Sequence, residues 1–187
     1  MKQTTANSRT INPNLAEALV SLGLRVPQVE HITGVSRTLV RAFYEKHHQR
    51  RSPSGLMPNS LTWYTESHEV SVHSAFFWLL FQNHYVSLKA SRPSALHSDL
   101  TSHAYCRALA TYQGICGAEG AVIAPERALL LVQYLADRLV LARNIPGGDT
   151  IKLIQCASCG THHVVAAHYR EYTCGECKDS RNAKKAH

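Results

Sequence analysis

Two closely spaced cysteine pairs near the carboxyl end constrain this chain more than any other feature of its sequence. Each pair has the form C-x-x-C, and the four members are Cys156, Cys159, Cys174 and Cys177. Two such pairs in succession are typical of one tetrahedral Zn²⁺ held by four thiolates. The sequence therefore predicts one structural zinc ion per chain. His162, His163 and His168 lie between the pairs and are candidates to replace a cysteine, although the all-cysteine set needs no substitute.

The segment between the two pairs has too few large apolar side chains to fold on its own. Its core material is limited to Val164, Val165, Ala166, Ala167, Tyr169 and Tyr172. Ordering each backbone residue costs about 1–2 kcal/mol, whereas a structural zinc ion contributes about 10–16 kcal/mol. Folding of this segment is therefore expected to depend on the metal.

Two other uses of these cysteines compete with a metal site. A thiol–disulfide active site needs only one C-x-x-C pair next to a βαβ pattern, and no such pattern is visible. A disulfide framework needs an oxidising compartment, but residues 1–10 are polar and do not resemble a secretory signal peptide. A cytoplasmic, reducing location is expected. Cys106 and Cys116 stand apart and are interpreted as small core side chains.

The chain is basic, with 20 lysines and arginines against 13 acidic residues and a formal net charge of +7. A zinc ion with four thiolates adds a net charge of about −2 and would leave the chain at about +5. This charge suits a polyanionic partner such as nucleic acid. It is also compatible with a basic protein that binds none. The longest apolar run, residues 75–81, is too short to span a bilayer, so no membrane role is expected.

Apolar periodicity and helix-start signals predict a mainly α-helical fold with a small carboxyl-terminal zinc-binding unit. The predicted helices cover approximately residues 13–24, 27–32, 37–47, 70–88, 98–112 and 125–141. The chain turns apolar from Leu61, and Pro93 ends the fourth element. His73 and His84 fall on a buried stripe of the fourth helix and are interpreted as hydrogen-bonded core histidines rather than metal ligands. A short strand is predicted at 150–155.

Three regions follow from these elements. Residues 1–11 are expected to be disordered, residues 12–145 form the helical region, and residues 146–187 form the zinc-binding unit with a basic tail. The boundary is the sequence Pro-Gly-Gly at 146–148. Several helices are apolar on more than one side, which favours either a subunit interface or a compact single core.

Residues 26–47 have the form of a helix-turn-helix. Gly34 lies in the turn, Val35 follows as the apolar residue, and the next helix presents an apolar face to the interior. Glu30 occupies a position where a small residue is usual, and Thr33 one where an apolar residue is usual. A plain helical corner is therefore the alternative to a DNA-reading unit.

Basic residues in and after this motif, and in the carboxyl-terminal tail, are candidate contacts to DNA phosphates. They are Arg37, Arg41, Arg50, Arg51, Lys178, Arg181, Lys184 and Lys185. No glycine-rich phosphate loop, nucleophile elbow or recognisable catalytic pair of carboxylates is found. A non-enzymatic role is therefore expected.

Several segments, in their shared order, resemble the FlhC family of flagellar transcriptional activators. They are residues 19–25 (LVSLGLR), the helix start at 35–37 (VSR), residues 55–63 (GLMPNSLTW), residues 72–76 (VHSAF) and the two cysteine pairs with their basic tail. The resemblance extends from about residue 15 to residue 181.

The resemblance implies a mainly helical bacterial protein with a four-cysteine zinc site. It also implies that the chain binds promoter DNA together with an FlhD-type partner, four FlhD chains with two FlhC chains, and activates flagellar operons through RNA polymerase. Met57 and residues 161–170 depart from the family pattern. Two alternatives are a divergent paralogue with non-flagellar targets and a zinc-stabilised protein-interaction subunit.

Overall fold

The computed structural model describes residues 11–141 and 151–185, and this part of the chain is mainly helical. Its α-helices are α1 (Pro13–Ser21), α2 (Val26–Thr33), α3 (Arg37–His48), α4 (His68–Ser91), α5 (His97–Gly120), α6 (Pro125–Leu141) and α7 (Gly175–Lys185). A 3-10 helix covers Thr62–Thr65, and the two strands are β1 (Ile151–Gln155) and β2 (His162–Ala166). The predicted fold class is confirmed. Most of the expected disordered segment at 1–11, and the expected boundary at 146–148, lie outside the described residues.

The chain divides into two compact units. The first comprises Met1–Leu56 with Phe81–Thr111, and the second comprises Met57–Leu80 with Tyr112–His187. Helices α4 and α5 each contribute one part to each unit. No helix among the described residues is both long and apolar enough to cross a bilayer.

Helices α1, α2 and α3 of the first unit pack on one another. Leu19, Val20, Val29 and Val40 are fully buried between them. The predicted start of α1 is confirmed, because the Oδ1 atom of Asn12 accepts a hydrogen bond from the backbone N–H of Leu15 at 3.0 Å. Burial of these apolar side chains is the main stabilising contribution to the three-helix core.

The turn between α2 and α3 accommodates both unusual residues of the helix-turn-helix pattern. Gly34 ends α2 in the left-handed region with φ 67°, and its N–H donates to the carbonyl of Glu30 at 2.9 Å. The buried Thr33 hydroxyl donates to the Val29 carbonyl at 2.7 Å and accepts from the Val35 N–H at 3.3 Å. Glu30 forms a 2.7 Å ion pair with Arg37. Thr33 is thus satisfied inside the core, and Glu30 has an ionic partner.

Helix α5 continues beyond the end that its glycines predict. The sequence predicts an end near Tyr112, but the helix runs through Gly114 to a kink at Gly117 (φ 70°, ψ 173°), and a short second helical stretch then reaches Gly120. A single glycine costs a helix only about 1 kcal/mol, which neighbouring contacts can offset. The chain departs from helical geometry only where φ becomes positive.

The second unit is centred on two buried tyrosines. The Tyr64 hydroxyl donates to the carbonyl of Arg127 at 2.6 Å, which ties the 3-10 helix to α6. The Tyr112 hydroxyl lies 2.8 Å from the Nδ1 atom of His73 and accepts from the Ile123 N–H at 3.2 Å. His73 is therefore a hydrogen-bonded, half-buried histidine, as predicted.

In the first unit, the Nε2 atom of the half-buried His84 lies 3.1 Å from the Thr111 hydroxyl. Among the described residues, neither His73 nor His84 belongs to a group with metal-ligand spacing. The predicted hydrogen bonding of both histidines is confirmed. Helix α4 is not buried on every side, since Val86 is 65% exposed.

Strands β1 and β2 form an antiparallel hairpin in the second unit, with Leu153 opposite Val164. The strand predicted at 150–155 is confirmed. Strand β2 and helix α7 were not predicted. The polar composition of α7 and the pair of histidines that opens β2 both obscure the usual periodic signals.

Candidate metal centre and basic surface

The hairpin and the start of α7 bring the four predicted cysteine ligands together. Cys156 directly follows β1, Cys159 lies in the next turn, and Cys174 and Cys177 flank the start of α7. The four Sγ atoms all lie within 4.8 Å of one another, and those of Cys159 and Cys174 are 3.9 Å apart. Every cysteine of the chain is a free thiol in this structure. The sulfurs therefore form one cluster and not two separate disulfides.

The first cysteine pair lies in a tight turn closed by backbone hydrogen bonds. The Cys156 N–H donates to the Thr161 carbonyl, and the Gly160 N–H donates to the Cys156 carbonyl, each at 2.9 Å. Gly160 adopts φ 73°, a left-handed conformation that glycine reaches without steric cost. The Ser158 N–H donates to the Sγ atom of Cys156 at 3.4 Å. The turn therefore orients one sulfur through a backbone donor, independently of any ion.

Backbone hydrogen bonds connect the second cysteine pair to the first. The Cys174 N–H donates to the Cys156 Sγ at 3.4 Å, and the Ala157 N–H donates to the Tyr172 carbonyl at 2.8 Å. Cys156 and Cys174 are each 2% exposed, whereas Cys159 is exposed to solvent. One side of the cluster is therefore buried and the other is open to water.

Electrostatics make the four thiols unequal. The backbone N–H groups of Cys174 and Cys159 lower the pKa of Cys156 to about 5, so Cys156 ionises first. The adjacent Cys174 thiol, together with desolvation, raises the pKa of Cys177 to about 12. A dication would favour the thiolate form of all four groups. Without a cation, the thiols with a raised pKa stay protonated. A bound metal ion would allow them to ionise and act as ligands.

The sulfur set fits the chemistry of a structural metal ion. Four thiolates form a donor set typical of zinc or an iron–sulfur centre. Backbone donors to a metal-binding sulfur stabilise its negative charge. The described cysteines can thus hold a metal ion, and the prediction that all four are its ligands gains a geometric basis.

The three nearby histidines lie in different environments. His168 is exposed, and the half-buried His162 lies with its Nε2 atom 3.1 Å from the Gln155 amide nitrogen. His163 is fully buried and, with His68 and Cys174, forms a second group of close metal-ligating atoms. Sequence reasoning missed His68, which lies on α4 far from the cysteines in the chain. No short-range spacing signal connects it to them.

A basic cleft lies in the first unit at the helix-turn-helix. It has a volume of about 510 Å³ and is lined by Val26, Pro27, Arg37, Arg41, Glu45, Arg51, Ser52, Pro53 and Ser54. The Ser52 hydroxyl accepts from the Val26 N–H at 3.2 Å, which fixes the loop after α3 against the start of α2. Three of the predicted phosphate contacts, Arg37, Arg41 and Arg51, are thereby brought to one cavity.

The other candidate contacts lie elsewhere. Arg50 is exposed but does not line the cleft, and Lys178 is exposed on α7. Arg181, Lys184 and Lys185 continue the backbone of α7, and the placement of their side chains lies outside the described part of the chain. All eight residues remain predicted contacts.

Comparison with known proteins gives one consistent family. The model of the family described as "Flagellar transcriptional activator (FlhC)" matches residues 1–187. A flagellar transcriptional regulator FlhC of Enterobacter cloacae subsp. cloacae is 27% identical over 176 residues, which cover 92% of this chain and 82% of that relative. The corresponding protein of Gallionella capsiferriformans is 25% identical over 173 residues, covering 91% and 85%.

Both relatives are regulators of transcription by name, and the family match extends through the helix-turn-helix, the 55–63 segment and the cysteine cluster. The resemblance inferred from the sequence is confirmed. Regulators of transcription are not a class of enzymes. The family therefore agrees with the expected non-enzymatic role. The chain belongs to the FlhC family of flagellar transcriptional activators.

Proposed function

We propose that this chain is the DNA-binding subunit of an FlhC-type activator that acts on flagellar promoters together with an FlhD-type partner and RNA polymerase. The observation that carries the proposal is the arginine-lined cleft of the helix-turn-helix. Transcriptional regulation follows from the family. The cleft is the surface through which the chain would contact DNA.

The charge balance of the cleft favours a phosphate. Arg37, Arg41 and Arg51 supply three guanidinium groups, and Glu45 supplies the one carboxylate among the lining residues. Guanidinium groups bind phosphate oxygens in a bidentate way and keep their charge at any physiological pH. Arg37 also pairs with Glu30, which orients it but offsets part of its charge. Arg41 and Arg51 are therefore expected to contribute most to phosphate binding.

The metal in this proposal is a single structural Zn²⁺ held by Cys156, Cys159, Cys174 and Cys177. It stabilises the hairpin and the start of α7, and hence positions Lys178 and the basic residues after it. Backbone donors already aimed at Cys156 support this role. The ion supplies folding energy and no chemistry on a substrate.

One exposed apolar residue is a candidate contact for a protein partner. Leu56 is 98% exposed and belongs to the family-like segment 55–63. An FlhD-type subunit is the partner that the family suggests. The second candidate function, a zinc-stabilised interaction subunit without DNA contact, draws on the same observation.

The test is promoter binding by the chain purified after co-expression with an FlhD-type protein. Wild type and the variant Arg41→Ala/Arg51→Ala are compared by fluorescence anisotropy on promoter DNA across a range of salt concentrations. Each lost phosphate contact removes roughly 0.9 from the slope of log K against log salt. The double variant should therefore lower that slope by roughly 2 and weaken binding to all sequences alike.

Lys89→Ala/Arg107→Ala is the charge-matched control, because both residues are exposed and neither lines the cleft. It should retain most of the wild-type slope. Wild-type affinity that does not change with salt contradicts the proposal. A stable complex with the partner that never retains promoter DNA favours the interaction subunit instead.

A further inference from the structure

His163 is a buried histidine with one ring nitrogen left without a partner. The residue is fully buried, and its Nδ1 atom lies 3.3 Å from the Ser71 hydroxyl oxygen. Its Nε2 atom is buried and has no hydrogen-bond partner. An unpaired buried polar atom is costly and calls for an explanation.

The hydrogen bonds around Ser71 determine which nitrogen of His163 carries the proton. The Ser71 hydroxyl donates its only proton to the Val164 carbonyl at 2.8 Å. Its oxygen must therefore accept from the Nδ1–H of His163. In the neutral ring, Nε2 then holds a lone pair and not a proton. A lone pair with no donor facing it is the arrangement that a metal ion completes.

Two further ligating groups lie close to the His163 ring. One nitrogen of His68, one nitrogen of His163 and the Sγ atom of Cys174 all lie within 4.8 Å of one another. The rings of His68 and His163 have centroids 5.1 Å apart. The His68 side chain is 38% exposed. The group therefore joins a buried imidazole and a buried sulfur to an imidazole that water can reach.

We propose that His68, His163 and Cys174 form a second metal position, which binds a transition-metal dication such as Zn²⁺ beside the four-cysteine site and shares the sulfur of Cys174. Two imidazoles and a thiolate are ligands that Zn²⁺ and Co²⁺ both accept. The inference rests on the proposed zinc site, because the shared sulfur belongs to it.

Charge favours a second ion once the first is bound. A dication with four thiolates leaves a net charge of about −2 on the filled site. A second dication neutralises that charge, and the bridging sulfur separates the two ions. With three protein ligands and an exposed histidine, the second position keeps a coordination place for water. It should therefore bind more weakly and exchange faster than the first.

The test uses the full-length chain loaded with Zn²⁺ and dialysed, followed by metal analysis and titration with Co²⁺ under reducing conditions. Wild type should retain one tightly bound zinc per chain and then take up one further equivalent of Co²⁺. That equivalent should give a sulfur-to-cobalt charge-transfer band without release of zinc. His68→Gln and His163→Gln should each lose the cobalt equivalent but keep the tightly bound zinc.

The control is His168→Gln, which removes an exposed histidine of the same segment that is not part of the group. It should bind both ions as wild type does. Because His68 is exposed, its substitution tests the proposal even where His163→Gln disturbs the core.

Three results overturn the proposal. The first is a wild-type chain that holds only one ion at any Co²⁺ concentration, and the second is cobalt that enters by displacing zinc. The third is a His163→Gln variant whose only defect is weaker binding of the first ion, which would make His163 a hydrogen-bonding neighbour of the sulfur. A chain without any tightly bound zinc refutes the four-cysteine site itself, and this outcome is distinct from the other three.

Discussion

At the scale of single residues, the four-cysteine cluster shows how backbone donors and neighbouring side chains give chemically identical groups different properties. Cys156 receives N–H groups from Ser158 and Cys174, whereas the exposed Cys159 Sγ lies 3.4 Å from the Thr161 hydroxyl. Cys106 lies outside this cluster, and burial raises the pKa of its thiol to about 11. Position in the fold therefore determines that Cys156 ionises easily, whereas Cys106 stays protonated.

Cys159→Ser should abolish tight metal binding. Because Cys159 is exposed, its replacement removes no packing, so any loss of structure is caused by loss of the metal. Metal analysis after dialysis should fall from about one ion per chain to none. Cys106→Ser is the control and should keep the full metal content. Equal metal content in the two variants contradicts the assignment of Cys159 as a ligand.

Two half-buried histidines of the first unit should make its stability depend on pH. Desolvation, followed by the nearby Arg107, lowers the pKa of His84, and desolvation followed by Arg92 lowers that of His103. The folded-state pKa values thus lie below the unfolded value of about 6.5. The unfolded chain binds protons first as the pH falls, so stability is complete above about pH 6.5 and declines below it.

The measurement is urea unfolding, followed through α-helical circular dichroism, between pH 7.5 and pH 5. The wild-type midpoint should fall as the pH passes below about 6.5. His84→Gln/His103→Gln should show a smaller fall, because glutamine cannot take up the proton. A variant with the same pH dependence as wild type argues against this role for the two histidines.

At the scale of elements, the helix-turn-helix depends on one backbone conformation. Gly34 ends α2 with φ 67° and directs the chain into α3. A Cβ atom at this position would meet only the Ile11 side chain, at 3.8 Å, so space is not limiting. The requirement for glycine comes from φ alone. The glycine predicted to lie in the turn is therefore explained by geometry.

Gly34→Ala should destabilise the chain by about 1 kcal/mol, because a left-handed φ strains any residue with a Cβ atom. Gly114→Ala is the matched control, since Gly114 lies inside α5 and an added Cβ meets nothing within 4 Å. This control should be neutral or more stable by about 0.5–1 kcal/mol. Thermal unfolding of both variants provides the comparison. If Gly114→Ala destabilises the chain as much as Gly34→Ala does, the explanation from φ is refuted.

At the scale of the whole molecule, the hairpin and α7 of the second unit are expected to depend on a metal ion, whereas the first unit is not. The first contains a three-helix core of fully buried aliphatic side chains. In the second, the hairpin and α7 meet at the cysteine cluster, where few large apolar side chains are available. Removal of metal should therefore affect one part of the molecule and spare the other.

Treatment with a strong chelator should expose the segment 151–185 to proteases while α1–α3 remain protected. The hairpin loses the ion's contribution of about 10–16 kcal/mol, whereas the helices of the first unit have their own core. Mass spectrometry of the early fragments identifies the cleavage sites. Addition of Zn²⁺ after chelation should restore protection. Early cleavage within α1–α3, or protection of 151–185 without metal, contradicts this division of stability.

Local sequence signals identified most elements of the fold. The starts of α1, α3 and α6, the glycine that ends α2 and the first strand all follow from chemistry within a few residues. The same holds for the cysteine cluster, because C-x-x-C fixes the relative position of two sulfurs through one turn. The extension of α5 past Gly114 did not follow, since neighbouring contacts can offset the local cost of a glycine.

The sequence by itself determined the four-cysteine cluster, the mainly helical class and the family, because each depends on spacing or order along the chain. Only the tertiary structure brought Arg51 to the same cavity as Arg37 and Arg41, and placed His68 beside His163 and Cys174. These groups come from residues far apart in sequence or from a loop whose path is set by one hydrogen bond. Contacts of that kind leave no periodic signal, since they depend on how the elements pack.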